Sequence, residues 1–190
     1  LHSHMVDTAV KEINIQYVGE IFQQLNTYIL TSAYLKSFLS EMVDIQLNYV
    51  NAQLVAKERG VVVKEVKVAE GREFKEYINI YVKNNQVSSI SGTVITEGNY
   101  RVIEIDGMDT DIEPEGYILI VYNTDRPGII GKIGTLLGDN DINIARMFVA
   151  RKSIGTEAIT FINVDNEVSN KLLDQIKKVQ GIKEVKFVKL

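Results

Sequence analysis

The chain has 190 residues, a formal net charge of −4 and 45% hydrophobic residues, enough for one large core or two small ones. Lysine and arginine are interleaved with acidic residues and form no basic block, so a nucleic-acid interface has little electrostatic support. Cysteine is absent, which excludes disulfides, thiolate metal sites and iron–sulfur clusters; no apolar run reaches membrane-spanning length and no signal peptide is visible, so a cytoplasmic protein is expected.

Residues 1–5, Leu1-His2-Ser3-His4-Met5, read as a disordered cloning remnant. They hold both histidines of the chain, with no third ligand to complete a metal site. On that reading the native sequence lacks histidine, the commonest general base, and no Ser–His or Cys–His pair is expected. Residues 13–20 alternate apolar and polar and predict a strand. A helix follows, capped by Asn26 or Thr27, with Leu25, Tyr28, Ile29, Leu35, Phe38, Leu39 and Met42 at helical intervals. Tyr28, Tyr34 and Phe38 read as core rather than as a ligand stripe. Residues 48–59 predict a second helix, ended by Gly60, with Lys57 and Arg59 in its last turn, where cations favour the helix dipole. Val61, Val62, Val63, Val66 and Val68 mark a strand. A meander follows: residues 78–82, a turn at Asn84-Asn85, residues 87–95, a turn at Gly98-Asn99, and residues 100–105 before Asp106-Gly107. Residues 6–114 are therefore expected to form a mixed α and β domain.

Glu113-Pro114-Glu115-Gly116 combines a stiff and a flexible residue and predicts the boundary with a second domain, 117–190. Residues 117–122 predict a strand. Asp125-Arg126-Pro127-Gly128 then turns the chain into a helix, with Pro127 suited to the first helical position. Ile129, Ile130, Ile133, Leu136 and Leu137 form one apolar stripe, and Gly138 reads as a left-handed stop. Gly131 and Gly134 lie inside this helix, where each costs about 1 kcal/mol relative to alanine, so a close approach to that face is predicted. Strands at 142–151 and 157–164 join across Ser153-Ile154-Gly155, a helix spans 170–179, Gly181 ends it, and 182–188 closes the sheet. The fold class is α+β, with a ferredoxin-like βαββαβ second domain. Such a sheet leaves an edge, which a second copy of the chain would cover.

Asn123, Asp125 and Asn143 flank the start of the central helix, where free N–H groups suit a carboxylate. A small amino acid fits this chemistry, its ammonium facing Asp125 and a side-chain hydroxyl reaching an asparagine. The same residues also cap and turn a backbone well, and chemistry alone leaves both readings open.

The pattern Asn123-x-Asp125-Arg126-Pro127-Gly128, then Gly131, Gly134 and Asp141-Ile142-Asn143-Ile144, resembles an ACT domain. The variant is similar to the C-terminal end of bacterial and archaeal D-3-phosphoglycerate dehydrogenases, whose ACT domains bind L-serine as feedback inhibitor. The resemblance implies an effector site of Asn123, Asp125, Arg126, Pro127, Gly128, Ile129, Ile130, Asn143 and Ile144. It further implies a homo-oligomer in which serine sits at a seam, with Asn123 and Asp125 from one copy and Asn143 from another. Val50-Asn51-Ala52, the run from Leu54 through Lys57-Glu58-Arg59-Gly60, and Arg101-Val102-Ile103-Glu104-Ile105-Asp106-Gly107 resemble the intervening domain of the same family. That domain implies an anion site, for which Arg101 is the candidate, with Lys57, Arg59 and Lys132 beside it; a solvated surface arginine is the alternative. The glycines at 128, 131 and 134 do not have the spacing of a dinucleotide-binding turn, so no catalytic residue is expected in this chain; the resemblance implies that NAD belongs to the parent enzyme. Rival readings are an assembly module that senses nothing, a standalone sensor, and a subunit like that of iron–sulfur L-serine dehydratases, whose chemistry needs the absent cysteines.

Overall fold

The computed structural model describes residues 1–6, 10–71, 74–85 and 87–190. They form two compact units, Leu1–Gly107 and Met108–Leu190.

The first unit runs α1 (His2–Met5), β1 (Glu12–Val18), α2 (Ile21–Gln24), α3 (Tyr28–Leu39), a 3-10 turn (Ser40–Met42), α4 (Ala52–Glu58), β2 (Val62–Val68), β3 (Tyr77–Lys83), β4 (Val87–Thr96) and β5 (Asn99–Ile105). Its strands take the order β2-β1-β3-β4-β5. Strand β1 is interior, between β2, to which it is parallel, and β3, to which it is antiparallel. Alternation explains its place: Ile13, Ile15 and Tyr17 point to one face and are at most 1% exposed. Against them pack Leu35, Phe38 and Leu39 of α3 and Ala52, Val55 and Ala56 of α4. The Asn26 side chain accepts from the Tyr28 amide at 3.0 Å, one of the two expected caps. Gly60, at φ +75°, follows α4 in the left-handed conformation. The aromatic set divides: Phe38 is buried and stacks with Tyr34 at 5.3 Å, whereas Tyr28 is 45% exposed and is not core. Leu25, which ends α2, and Ile29, in the first turn of α3, are also exposed.

The N-terminal segment departs from the expected disorder. Residues 2–5 form α1, with His2 and Met5 buried. The His2 ring sits edge-on to Phe38 at 5.7 Å. Its Nδ1 is 2.9 Å from the Tyr34 hydroxyl and its Nε2 is 3.3 Å from Ser88 Oγ. A Ser–His contact therefore does exist, as a packing contact with both ring nitrogens engaged. Burial pushes the imidazole pKa down to about 4. A base whose folded pKa lies below its unfolded value contributes stability that is complete above the unfolded value, about 6.5, and is lost as pH falls toward 4. Protection factors of the α3 amides, corrected for the intrinsic pH dependence of exchange, should fall as pH drops across that window and stay flat above it, and His2→Phe should remove that fall. A flat profile in the parent chain would refute this docking.

The second unit runs β6 (Met108–Ile112), β7 (Tyr117–Thr124), α5 (Ile129–Gly138), β8 (Ile144–Arg151), β9 (Glu157–Val164), α6 (Asn170–Lys177) and β10 (Ile182–Lys189). From β7 onward this is the expected βαββαβ succession. The sheet order is β10-β7-β9-β8, antiparallel throughout. Ile129, Ile133 and Leu137 of α5 and Leu172 and Ile176 of α6 meet Leu119, Val121, Ile162 and Val185 of the sheet. Ser169 caps α6 by accepting from the Leu172 amide at 3.3 Å. The division between units falls at Gly107, ahead of the expected boundary at Glu113-Pro114-Glu115-Gly116. Within the second unit Glu113 pairs with Arg146 at 2.9 Å, and the Asn163 amide donates to the Glu113 and Glu115 carbonyls. The junction is thus bonded into the second unit, and β6 packs against β8.

Candidate functional site

Strand β7 ends at Thr124 and delivers Asp125 to a turn that opens α5. Proline does not start the helix. Pro127 lies in the turn, and Gly128, at φ +88°, is the N-cap; that left-handed angle suits glycine and interrupts the helical run between Pro127 and Ile129. No side chain caps this end. The first helical bond is made by the Lys132 amide to the Gly128 carbonyl at 3.0 Å. The amides of Ile129, Ile130 and Gly131 therefore point out of the helix start, where the dipole favours an anion. Ile129 is buried, whereas Arg126, Pro127, Gly128 and Ile130 are exposed around the opening. At the other end, Gly138 is the last residue of α5 rather than a left-handed stop; Asp141, at φ +56°, takes that conformation before β8.

Asn123 is 3% exposed and faces inward. Its Oδ1 accepts from Thr160 Oγ1 at 3.0 Å and its Nδ2 donates to the Thr124 carbonyl at 3.0 Å. Asp125 is tied to the loop between β8 and β9. Its Oδ2 accepts from Arg151 Nη1 at 2.6 Å and from the Gly155 amide at 3.2 Å. Its own amide donates to the Thr156 carbonyl at 2.7 Å. The Arg151 hydrogen bond, then the Gly155 amide, hold the Asp125 carboxyl below its ordinary pKa. Arg151, Gly155 and Thr160 were not legible as site residues. Nothing in local spacing links position 125 to 151; the strand register does.

Asn143 does not join them. Its Nδ2 donates to Asp165 Oδ2 at 2.6 Å, and its carbonyl accepts from the Asp165 amide at 3.2 Å. In the sheet, Asn123 is opposite Ala158, whereas Ile144 is opposite Val164. Six residues of β9 separate those positions, about 20 Å at strand rise. Within one copy, Asn123 and Asp125 lie at one end of the sheet and Asn143 and Ile144 at the other.

The basic candidates do not converge in the first unit. Lys57 and Arg59 are exposed at the end of α4, which packs on β2. Arg101 lies on β5, four strand positions away in the sheet order, about 19 Å at the usual spacing. Its Nη1 donates to the Tyr100 carbonyl at 2.8 Å. Lys132 is exposed on α5 of the second unit. Among the described residues no group of three or more His, Cys, Asp or Glu could hold a metal ion, and no helix is long and apolar enough to cross a membrane.

An antiparallel β10-β7-β9-β8 sheet with two helices on one face is the ferredoxin-like build of an ACT module, and the ACT-domain family model matches residues 117–181. The model of the D-3-phosphoglycerate dehydrogenase intervening domain matches residues 1–106, and the chain belongs to that family. The matched range includes α1. The D-3-phosphoglycerate dehydrogenase of Bacillus subtilis is 36% identical over 191 residues, covering 100% of this chain and 36% of that protein. That of Methanocaldococcus jannaschii is 33% identical over 187 residues, covering 98% of this chain and 35% of that protein. The chain thus spans about a third of the length of the relatives it matches.

Proposed function

We propose that this chain is the regulatory and oligomerisation part of an NAD-dependent D-3-phosphoglycerate dehydrogenase, and that its ACT module senses L-serine at a seam between two copies. The oxidation of 3-phosphoglycerate and the NAD site belong to the remaining length of the protein, which works in the cytoplasm. The observation that carries the seam is the separation of Asn123 and Asp125 from Asn143 across the sheet. One copy offers an open helix start and an acid at one end and a carboxamide at the other. Strand β8 is an edge, and it joins the two ends. A two-fold axis through its middle runs β8 antiparallel to its mate, so that Asn143 of the partner subunit arrives beside Asp125 and Arg151. The amides of α5 then receive the serine carboxylate, Asp125 the ammonium, and the partner's Asn143 the hydroxyl. Serine biases the arrangement of the two copies, with a coupling of about 1–3 kcal/mol to the distant active site.

Calorimetry of the chain with L-serine, beside sedimentation, tests this reading. Saturable heat with a dimer supports it; no heat at millimolar serine with the dimer intact overturns it. The second outcome favours an assembly module without a ligand, the reading that the inward-bonded amide of Asn123 supports.

The two helix glycines provide a test by sign. A Cβ placed at Gly131 or Gly134 meets nothing within 4 Å in one copy. Alanine at both should therefore stabilise the isolated helix by about 1 kcal/mol each. If a second copy approaches that face, the same change weakens dimerisation, by roughly tenfold or more for a contact that must open to admit two methyls. A chain that melts higher and dimerises as tightly as before would exclude the close approach.

A further inference from the structure

We propose that Arg151 is a positioning residue of the effector seat, fixing the Asp125 carboxylate so that its Oδ1 receives the ammonium of an α-amino acid while the Asp125–Arg151 pair selects a zwitterion over a simple amine. This rests on the effector reading above.

Three bonds converge on Asp125 from the end of β8 and the loop that follows it: those of Arg151 and Gly155 to Oδ2, and that of the Asp125 amide to Thr156. Oδ2 thus has two donors, and Oδ1 has none among the described residues. A carboxylate has room for about four donors, so Oδ1 remains able to accept. A lone aspartate on an exposed turn would sample several rotamers and lose entropy on meeting a ligand. With Arg151 in place that ordering is already complete in the free protein, which is preorganisation in the ordinary sense. Arg151 is the last residue of β8 and is itself positioned by the pairing of β8 with β9, in which it stands opposite Ala158. Lys183 of β10 pairs instead with Glu157.

The charge balance sets the ligand class. Asp125 alone beside an open helix start would attract any amine. Paired with Arg151, the acid is neutralised at long range and acts only through short hydrogen bonds. A bare amine then gains little on approach, and a bare carboxylate brings no donor for the Asp125 Oδ1. A molecule that carries both charges about one carbon apart satisfies the Asp125 oxygen and the α5 amides together.

The test is calorimetry of the 190-residue chain with L-serine and with ethanolamine, which keeps the ammonium and hydroxyl and lacks the carboxylate. The parent chain should bind serine with ethanolamine undetectable at the same concentrations. Arg151→Gln should weaken serine at least tenfold and bring ethanolamine into the measurable range. Arg151→Lys, which keeps the charge but not the fork, should restore the preference for serine in part. An Arg151→Gln chain that binds serine like the parent overturns the inference and leaves the effector reading standing. So does equal weakening in both variants with the preference unchanged, since that marks a structural role alone. A parent chain that binds no serine overturns the effector reading and this inference with it.

Discussion

Replacing Asp125 with alanine is expected to weaken L-serine binding on the order of 100-fold, the range seen when one member of a hydrogen-bonded charge pair is removed from an interface. Two losses combine. The ammonium loses its acceptor, and the end of β8 with the loop after it loses two of the three bonds that tie it to the β7–α5 turn. Arg151 is left without its carboxylate and becomes a competing cation beside the seat. Asp125→Asn separates these effects. The amide oxygen can still accept from Arg151 and Gly155, so the loop stays tied, while the negative charge is gone. Serine affinity should fall in both variants, and exchange of the Gly155 amide should accelerate only in Asp125→Ala. Serine affinity unchanged in Asp125→Asn would remove the acid from the recognition scheme.

Ile133→Ala is expected to destabilise the second unit by about 2–5 kcal/mol, the range for truncating a fully buried isoleucine. Ile133 is 0% exposed and lies between Ile129 and Leu137 on the face of α5 that meets the sheet. Glycine stands on both sides of it in the helix, at 131 and 134, so the helix has little propensity of its own and depends on this packing. Urea unfolding should show the loss, and serine binding should weaken with it, because α5 supplies the amides. A loss under about 1 kcal/mol would mean that α5 is held by something other than its apolar stripe.

The second unit was the more legible of the two. Ile133 and Leu137 repeat at helical spacing, and Leu172 and Ile176 do the same in α6, so local pattern and tertiary burial agree. The misread places are those where burial overrides a polar appearance. Met108, Thr110 and Ile112 alternate as buried residues in β6, but Asp109 and Asp111 between them gave the segment the look of a solvated junction. Residues 1–5 were expected to be disordered, whereas His2 fills a niche between Tyr34 and Phe38 that only the fold creates. For the site, the turn from Asp125 to Gly128 was readable from residue types because a proline and a left-handed glycine are a local matter. The partners of Asp125 were not, since Arg151 and Gly155 reach it only through the register of β8 and β9. Asn123 was read as a ligand-facing group, and its inward bonds to Thr160 and Thr124 come from the alternation of β7, which the strand's uniformly apolar start concealed.

The parallel pairing of β1 with β2 has a kinetic consequence. It joins Glu12 to Val62, and α3 and α4 must be enclosed before those partners meet. The β3-β4-β5 meander closes through short turns and can nucleate early, whereas the β1–β2 ladder closes a loop of about fifty residues and carries the larger entropy. On that account β2 is expected to join last, at the edge of a nearly complete sheet. Until it arrives, the backbone edge of β1 stays open to pairing with another nascent chain.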